Sequence, residues 1–279
     1  MDLRQSKEFA RYLKLSGWIV EKIDNCYVYL RKLPLLPPLI MKIQYPNPPI
    51  PFEKIEKLAK KYKPLQIQIQ PLRIESGFKK HGYKLSIGGH VTRTLQINLT
   101  QSEKRILSQM KKDARYEIRR TKKERLQITK ANNLEKFHQA WKKSVSWQRY
   151  VPSLKNLKIL KKSFDKNATF LTANTFDYDE SYHRSRTIAG TVILATNEGA
   201  YYYYAFTSKE GRKKLAQYLL VWEAIQLAKK RGCKIFDFEG IYDERFPIKA
   251  WKGFSHFKKS FGGKEIKYPG CFTRYKLSF

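Results

Sequence analysis

Three stretches of the 279-residue chain concentrate groups that can do chemistry. The first, Lys111–Arg125, reads KKDARYEIRRTKKER, and eight of its fifteen residues are Lys or Arg. On a helix, Arg115, Arg119 and Lys122 share one face, and Tyr116, Arg120 and Lys123 another. Such a face holds phosphates, with Tyr116 stacking on a base or packing on the fold. The same spacing also fits a solvated amphipathic helix with Ile118 turned inward. The second stretch, residues 190–240, carries a loop SKEGRKK, a helix, and a strand ending in DFEG. Ser208, Gly211, Arg212 and Lys213 stand where backbone amides at a helix start and cationic side chains make an anion site. An exposed basic loop reads equally well. The third stretch, Trp251–Gly263, reads WKGFSHFKKSFGG. Trp251, Phe254, Phe257 and Phe261 form a helical stripe of the kind that is usually core. Lys258 and Lys259 stand beside it. Either one, pointed at a carbonyl oxygen that gains negative charge, supplies a fixed ammonium that stabilises the transition state.

Hydrophobic periodicity gives the elements that must hold these groups. Residues 3–16 read as a helix. Trp18–Ile23 and Tyr27–Arg31 read as a hairpin about Asp24-Asn25. Leu39–Ile43 is a strand, Phe52–Tyr62 a helix with Lys on its outer face, and Leu65–Ile69 and Thr92–Leu99 are strands. Thr100 or Ser102 caps one long helix running to about Lys123. After a strand at Leu126–Thr129 come helices Leu134–Ser146 and Leu154–Phe164. Strands Ala168–Ala173, Thr187–Ala195 and Ala200–Phe206 follow. Gly211–Arg231 is a helix ending at Arg-Gly. Ile235–Phe238 is a strand, and Ala250–Phe261 a helix stopped by Gly262-Gly263. Strands Glu265–Tyr268 and Phe272–Phe279 close the chain. The fold class is therefore α/β (α+β), two successive blocks with mixed sheets, joined somewhere in 125–150.

Composition narrows the function. The chain carries 57 Lys and Arg against 24 Asp and Glu, a net charge of +33. At 42% hydrophobic and 14% aromatic it has a real core and is no disordered basic tail. A compositional bias that raises Lys, Ile, Asn and Tyr together explains part of the Lys count but not the shortage of acids. A polyanionic partner is favoured: nucleic acid, a nucleotide diphosphate or an anionic surface. Cys26, Cys233 and Cys271 are far apart, and the five His form no ligand pattern, so no metal site is expected. The amino-terminal stretch lacks the apolar run of a signal peptide. The apolar segment Leu33–Met41 is too short and too Pro-rich to span a bilayer. A cytoplasmic protein, able to visit the inner membrane face, is expected.

Taken in order, the three stretches resemble one family. MKKDARYEIRRTKKERL is similar to the KKxRYxIRxAxKxGV segment of the FemA/FemB/FemX proteins, the transferases that build peptidoglycan cross-bridges from aminoacyl-tRNA. YAFTSKEGRKKLAQYLLVWEAIQLAKKRGCKIFDFEGI resembles that family's tyrosine strand and its LLxWExIxxAKxxGxxxYDFxGI helix and strand. GFSHFKKSFGGKEIKYPG resembles its GLYxFKxxFGGxxxxYxG ending. The matches lie in 105–130 and 187–270; the first hundred residues fit in length and pattern only. Glu239 departs from the pattern, standing where a small residue is common, and Ser144–Leu154 matches poorly.

The resemblance implies two tandem GNAT-like domains, taken as 1–135 and 136–279, with the last strand (about 271–279) returning to the first. With no inserted coiled-coil arm visible, the arm-less members are the nearer comparison. It implies transfer of an amino acid from aminoacyl-tRNA to a stem-peptide amine of lipid II or its UDP-linked precursor, in cell-wall biogenesis and the maintenance of cell shape. Aminoacyl-tRNA is then a co-substrate, and no cofactor is needed because the ester is already activated. By family match, Phe257-Lys258 is the FK pair, with Lys258 stabilising the ester or its oxyanion. Arg115, Tyr116 and Arg119 bind substrate phosphate or lock the structure. Tyr202, Tyr204, Asp237 and Tyr242 are cleft residues. Asp237 orients the incoming amine or takes its proton, or else is a strand-end carboxylate bonded to backbone. A GNAT-like N-acyltransferase using acyl-CoA at Gly211–Lys214 is the alternative, since that loop is also similar to an acyl-CoA pyrophosphate loop without its QxxGxG/A spacing. Binding of nucleic acid without catalysis rests on charge alone.

Overall fold

Alternating apolar residues force the amino-terminal segments into a sheet. In the computed structural model, which describes residues 2–32, 38–86, 91–124, 126–145, 149–179 and 182–275, this sheet forms one of two compact units. The first unit comprises residues 1–94, 240–252 and 266–279. Its elements are α1 (Lys7–Leu15), β1 (Ile19–Ile23), β2 (Cys26–Lys32), β3 (Pro38–Gln44), α2 (Phe52–Tyr62), β4 (Gln66–Gln70), α3 (Gly77–Lys80) and β5 (Lys84–Ser86). The Ser6 hydroxyl accepts the Phe9 N–H at 3.1 Å and starts α1. The expected hairpin forms with Asp24 in the left-handed turn position, and Ile23 pairs with Cys26. β3 and β4 run parallel, Ile43 opposite Ile69, so a crossover is needed, and α2 provides it. Its Phe52, Ile55 and Ala59 pack into a core with Val28, Leu30 and Met41, while its Lys residues stay outside. Each fully buried aliphatic of this set contributes about 1.5–3 kcal/mol. The short α3 and β5 had no periodic signal in the sequence.

The second unit comprises residues 95–239 and 253–265. From the start of its sheet the elements are β6 (Arg93–Asn98), α4 (Glu103–Gln109), α5 (Lys112–Lys123), β7 (Gln127–Lys130), α6 (Leu134–Ser144), α7 (Leu154–Phe164), β8 (Ala168–Asp179), β9 (Tyr182–Ala195), β10 (Gly199–Thr207), α8 (Lys209–Lys213), α9 (Ala216–Lys230), β11 (Ile235–Gly240), α10 (Trp251–Lys259) and β12 (Lys264–Lys267). Their sheet has the order β12-β6-β11-β10-β9-β8-β7. α9 buries Leu219, Leu220, Trp222 and Ile225 and is apolar nearly all round, as a helix sunk in a core must be. The last strand, β13 (Cys271–Tyr275), goes to the other sheet, whose order is β1-β2-β3-β4-β13-β5. Both sheets mix parallel and antiparallel pairs. The expected continuation of the last strand through 276–279 lies outside the described residues.

Three expectations need correction. The long helix to Lys123 is two helices, with Met110 and Lys111 extended between them. The Arg115 guanidinium reaches back across this break to the Ser108 and Met110 carbonyls, and the Lys111 N–H donates to the Ser260 carbonyl at 2.8 Å. The helix expected over Gly211–Arg231 is likewise two, broken where Leu215 takes a left-handed φ of 51°. The strands seen as short at 168–173 and 187–195 are one long antiparallel pair, from Ala168↔Leu194 to Asp179↔Tyr182. The two compact units are each discontinuous in sequence. Gly262 and Gly263 do stop α10: φ is 74° and 94°, and a Cβ on Gly263 would lie 2.6 Å from the Gln96 carbonyl oxygen.

Candidate functional site

The neighbouring strands β10 and β11 of the second unit run parallel but pair over only three residues, ending at Tyr201↔Asp237. Both strands continue beyond that point. On its other edge β10 has a bulge against β9: Tyr202 opposes Ile193 and Tyr204 opposes Val192, leaving Tyr203 as the extra residue. A bulge bends its strand, so Tyr202, Tyr203 and Tyr204 all reach one cavity, which strict alternation would forbid. The cavity encloses about 830 Å³. Glu239 of β11, Gln217 and Tyr218 of α9, and Phe254, Phe257 and Lys258 of α10 also line it, as do Arg149 and Arg212.

Lys258 is the cation at this wall. The side chain is buried, 9% exposed, and Nζ donates to the Phe238 carbonyl at 2.7 Å. It also lies 4.8 Å from the Phe254 ring centroid and 5.9 Å from that of Tyr202. Burial pushes its ammonium down to about 8, partly opposed by the carboxylates of Glu239 and Asp237. At neutral pH it remains mostly charged, a buried ammonium held by a carbonyl and aromatic faces. Phe257 supports this wall, its ring 4.9 Å from Tyr218 and 5.3 Å from Phe261.

A hydrogen-bond chain fixes Tyr202. The Thr207 hydroxyl donates to Gln217 Oε1 at 2.9 Å, and Gln217 Nε2 donates to the Tyr202 hydroxyl at 2.6 Å. Burial raises the Tyr202 phenol above its ordinary range, so it stays neutral. The turn before α8 is tight. The Ser208 hydroxyl accepts the Gly211 N–H at 3.0 Å, and a Cβ on Gly211 would meet the Ile188 carbonyl oxygen at 2.4 Å.

The structure thus brings together Lys258, Phe257, Tyr202 and Tyr204 from the sequence-expected set. Asp237 is not among the lining residues. It is 4% exposed, with Oδ2 accepting from Gln96 Nε2 at 2.8 Å and Oδ1 from the Glu239 N–H at 2.6 Å. It holds the backbone behind the wall. Arg115 is engaged with backbone carbonyls, Tyr116 is 55% exposed and Arg119 is exposed; none lines the cavity. Tyr242 belongs to the first unit, where Lys252 Nζ lies over its ring at 5.2 Å. Sequence reasoning did not pick out Tyr203, Gln217 or Tyr218. A lone glutamine in the apolar run AQYLLVWEAI was the one available signal for Gln217. Among the described residues no group of three or more His, Cys, Asp or Glu is arranged to hold a metal, and no helix is long and apolar enough to cross a membrane.

Comparison with known proteins agrees with this architecture. The fold superposes on a crystal structure of FemX with a TM-score of 0.82 at 16% identity, covering 99% of this chain and 92% of that one. It matches L-PGS from Bacillus licheniformis with a TM-score of 0.65 at 11% identity, covering 96% and 87%. A tandem GNAT protein from the clavulanic acid biosynthesis pathway gives 0.54 at 8% identity, covering 91% and 80%. These identities speak to fold alone. No curated protein matches the sequence. A sequence model of the FemAB family matches residues 130–277, more than half the chain and the whole run from α6 to β13, and the chain belongs to the FemAB family.

Proposed function

We propose that this FemAB-family transferase moves an aminoacyl group from aminoacyl-tRNA to an amine on the stem peptide of a peptidoglycan precursor. The observation that carries the reading is Lys258: a buried ammonium at the wall of the cavity where β10 and β11 part. An aminoacyl ester needs no covalent activation. Its amide forms when a neutral amine attacks the carbonyl carbon, the oxygen takes up negative charge, and the ribose hydroxyl leaves with a proton. Lys258 offsets that charge in a site of low dielectric, where a fixed ammonium is worth far more than in water. The net charge of +33 favours both tRNA and a pyrophosphate-bearing acceptor. The experiment is transfer from charged tRNA to lipid-linked and UDP-linked muropeptides. Lys258→Ala lowers turnover while leaving muropeptide affinity near that of wild type; unchanged turnover removes Lys258 from this role.

A second reading, N-acylation from acyl-CoA, has one observation in its favour: Gly211 and Arg212, from the short helix α8, line the same cavity. It requires saturable acyl-CoA binding that Arg212→Ala weakens. The tRNA reading requires none.

A further inference from the structure

We propose that Glu239 is the receptor for a primary ammonium group of the substrate. The inference rests on the transferase reading above and deepens it. Among the described residues that line the cavity, Glu239 is the sole carboxylate, set among aromatic side chains and the cations Arg149, Arg212 and Lys258.

Its backbone makes the residue's presence costly. Glu239 adopts φ 59°, a left-handed conformation that glycine takes freely and a β-substituted residue takes under strain. Glycine at this point would relieve the strain. The strained conformation is instead held in place from behind. The Glu239 N–H donates to Asp237 Oδ1 at 2.6 Å, and Asp237 is itself fixed by Gln96 at 2.8 Å. The buried Asp237 and the half-buried Gln96 therefore over-determine one left-handed residue that lines the cavity. Strain retained at such cost points to function.

Charge identifies the ligand. A carboxylate inside the cavity works against the surplus of positive charge that attracts polyanions, so it does not serve phosphate. Glu239 already supports the charge of Lys258, but a carboxylate has two oxygens and accepts from more than one cation, and aromatic faces around it suit an ammonium carried on an apolar stem. The transferase reaction offers two such groups: the α-ammonium of the aminoacyl donor, and the acceptor amine in its protonated, resting form.

Benzylammonium, with benzyl alcohol as the uncharged control, tests the site without any transfer reaction. Titrated into the full-length protein at pH 7 and followed by NMR, benzylammonium binds wild type saturably. Binding weakens about tenfold in Glu239→Gln and Glu239→Gly, while benzyl alcohol binds all three alike. Glu239→Gly melts no lower than wild type, because glycine accepts φ 59°; lost binding is then not lost folding. Equal benzylammonium affinity in all three proteins, or no saturable binding to wild type, overturns the proposal. So does a Glu239→Gln variant whose only change is a lower alkaline limit of activity, which would make Glu239 a mere counter-ion of Lys258. Steady-state transfer then assigns the source: a higher KM for the muropeptide marks the acceptor amine, and a higher KM for aminoacyl-tRNA, absent with N-acetylaminoacyl-tRNA, marks the donor. If wild type transfers nothing while benzylammonium binding depends on Glu239, the transferase reading fails and the ammonium site stands.

Discussion

Lys258 Nζ donates to the carbonyl of Phe238, at 2.7 Å, and Phe238 is the residue immediately before Glu239. One hydrogen bond therefore ties the cation of α10 to the strand that carries the cavity's carboxylate. It spans 20 residues of sequence and joins the DFEG and FKK segments, which the chain keeps apart.

Activity should fall as pH rises through about 8, where Lys258 loses its proton. Lys258→Arg keeps its charge at any accessible pH and removes this alkaline limb, even if its maximal rate is lower. Stability moves the other way. The folded-state value lies below the ordinary 10.5, so between about 8 and 10.5 the unfolded chain binds more protons and folding is favoured by rising pH. Measured as the difference between wild type and Lys258→Met in urea unfolding, this gain is on the order of 3 kcal/mol.

Asp237→Ala should destabilise by about 2 kcal/mol, since it strands the half-buried Gln96 amide and the Glu239 N–H. Urea unfolding reads the loss directly. Benzylammonium affinity should fall with it, because Glu239 loses the partner that fixes its backbone.

The two arginines of α5 should separate. Arg115→Ala removes donors from the Ser108 and Met110 carbonyls and lowers stability by about 1–2 kcal/mol. Arg119→Ala leaves the melting temperature unchanged. If α5 contacts tRNA, it reduces the salt slope of tRNA binding by about 1.

Gly263→Ala should cost ~2 kcal/mol or more in thermal or urea unfolding, since the residue has φ 94° and its Cβ would meet a backbone oxygen at 2.6 Å. Gly253→Ala, within α10 and with open space around its Cβ, is the control and should be neutral or stabilising.

Much of the architecture was legible because period and punctuation are local signals. Phe52–Tyr62 and Leu154–Phe164 are helices over the very residues their apolar spacing marks. The Asp24-Asn25 turn and the Gly262-Gly263 stop act through their own backbone preferences. Features decided by distant partners were not legible. The break at Met110-Lys111 is satisfied by Arg115 and by Ser260, far along the chain. The bulge that turns Tyr203 toward the cavity is set by register against β9, which no pattern within YYYY reveals. The same holds in the site. FK and DFEG marked Lys258 and Asp237 by type, but only their packing separates them. Lys258 lines the cavity, whereas Asp237 stands behind it and holds Glu239, whose departure from the family pattern was visible in the sequence while its purpose was not.

The central claim is tested most directly by presenting the purified protein with tRNA charged with each of the twenty amino acids and with lipid-linked and UDP-linked muropeptides, and weighing the products by mass spectrometry. A muropeptide heavier by one aminoacyl residue is expected with at least one charged tRNA, and that product is lost in Lys258→Ala. No mass increase with any pairing, or an equal increase in Lys258→Ala, would contradict it.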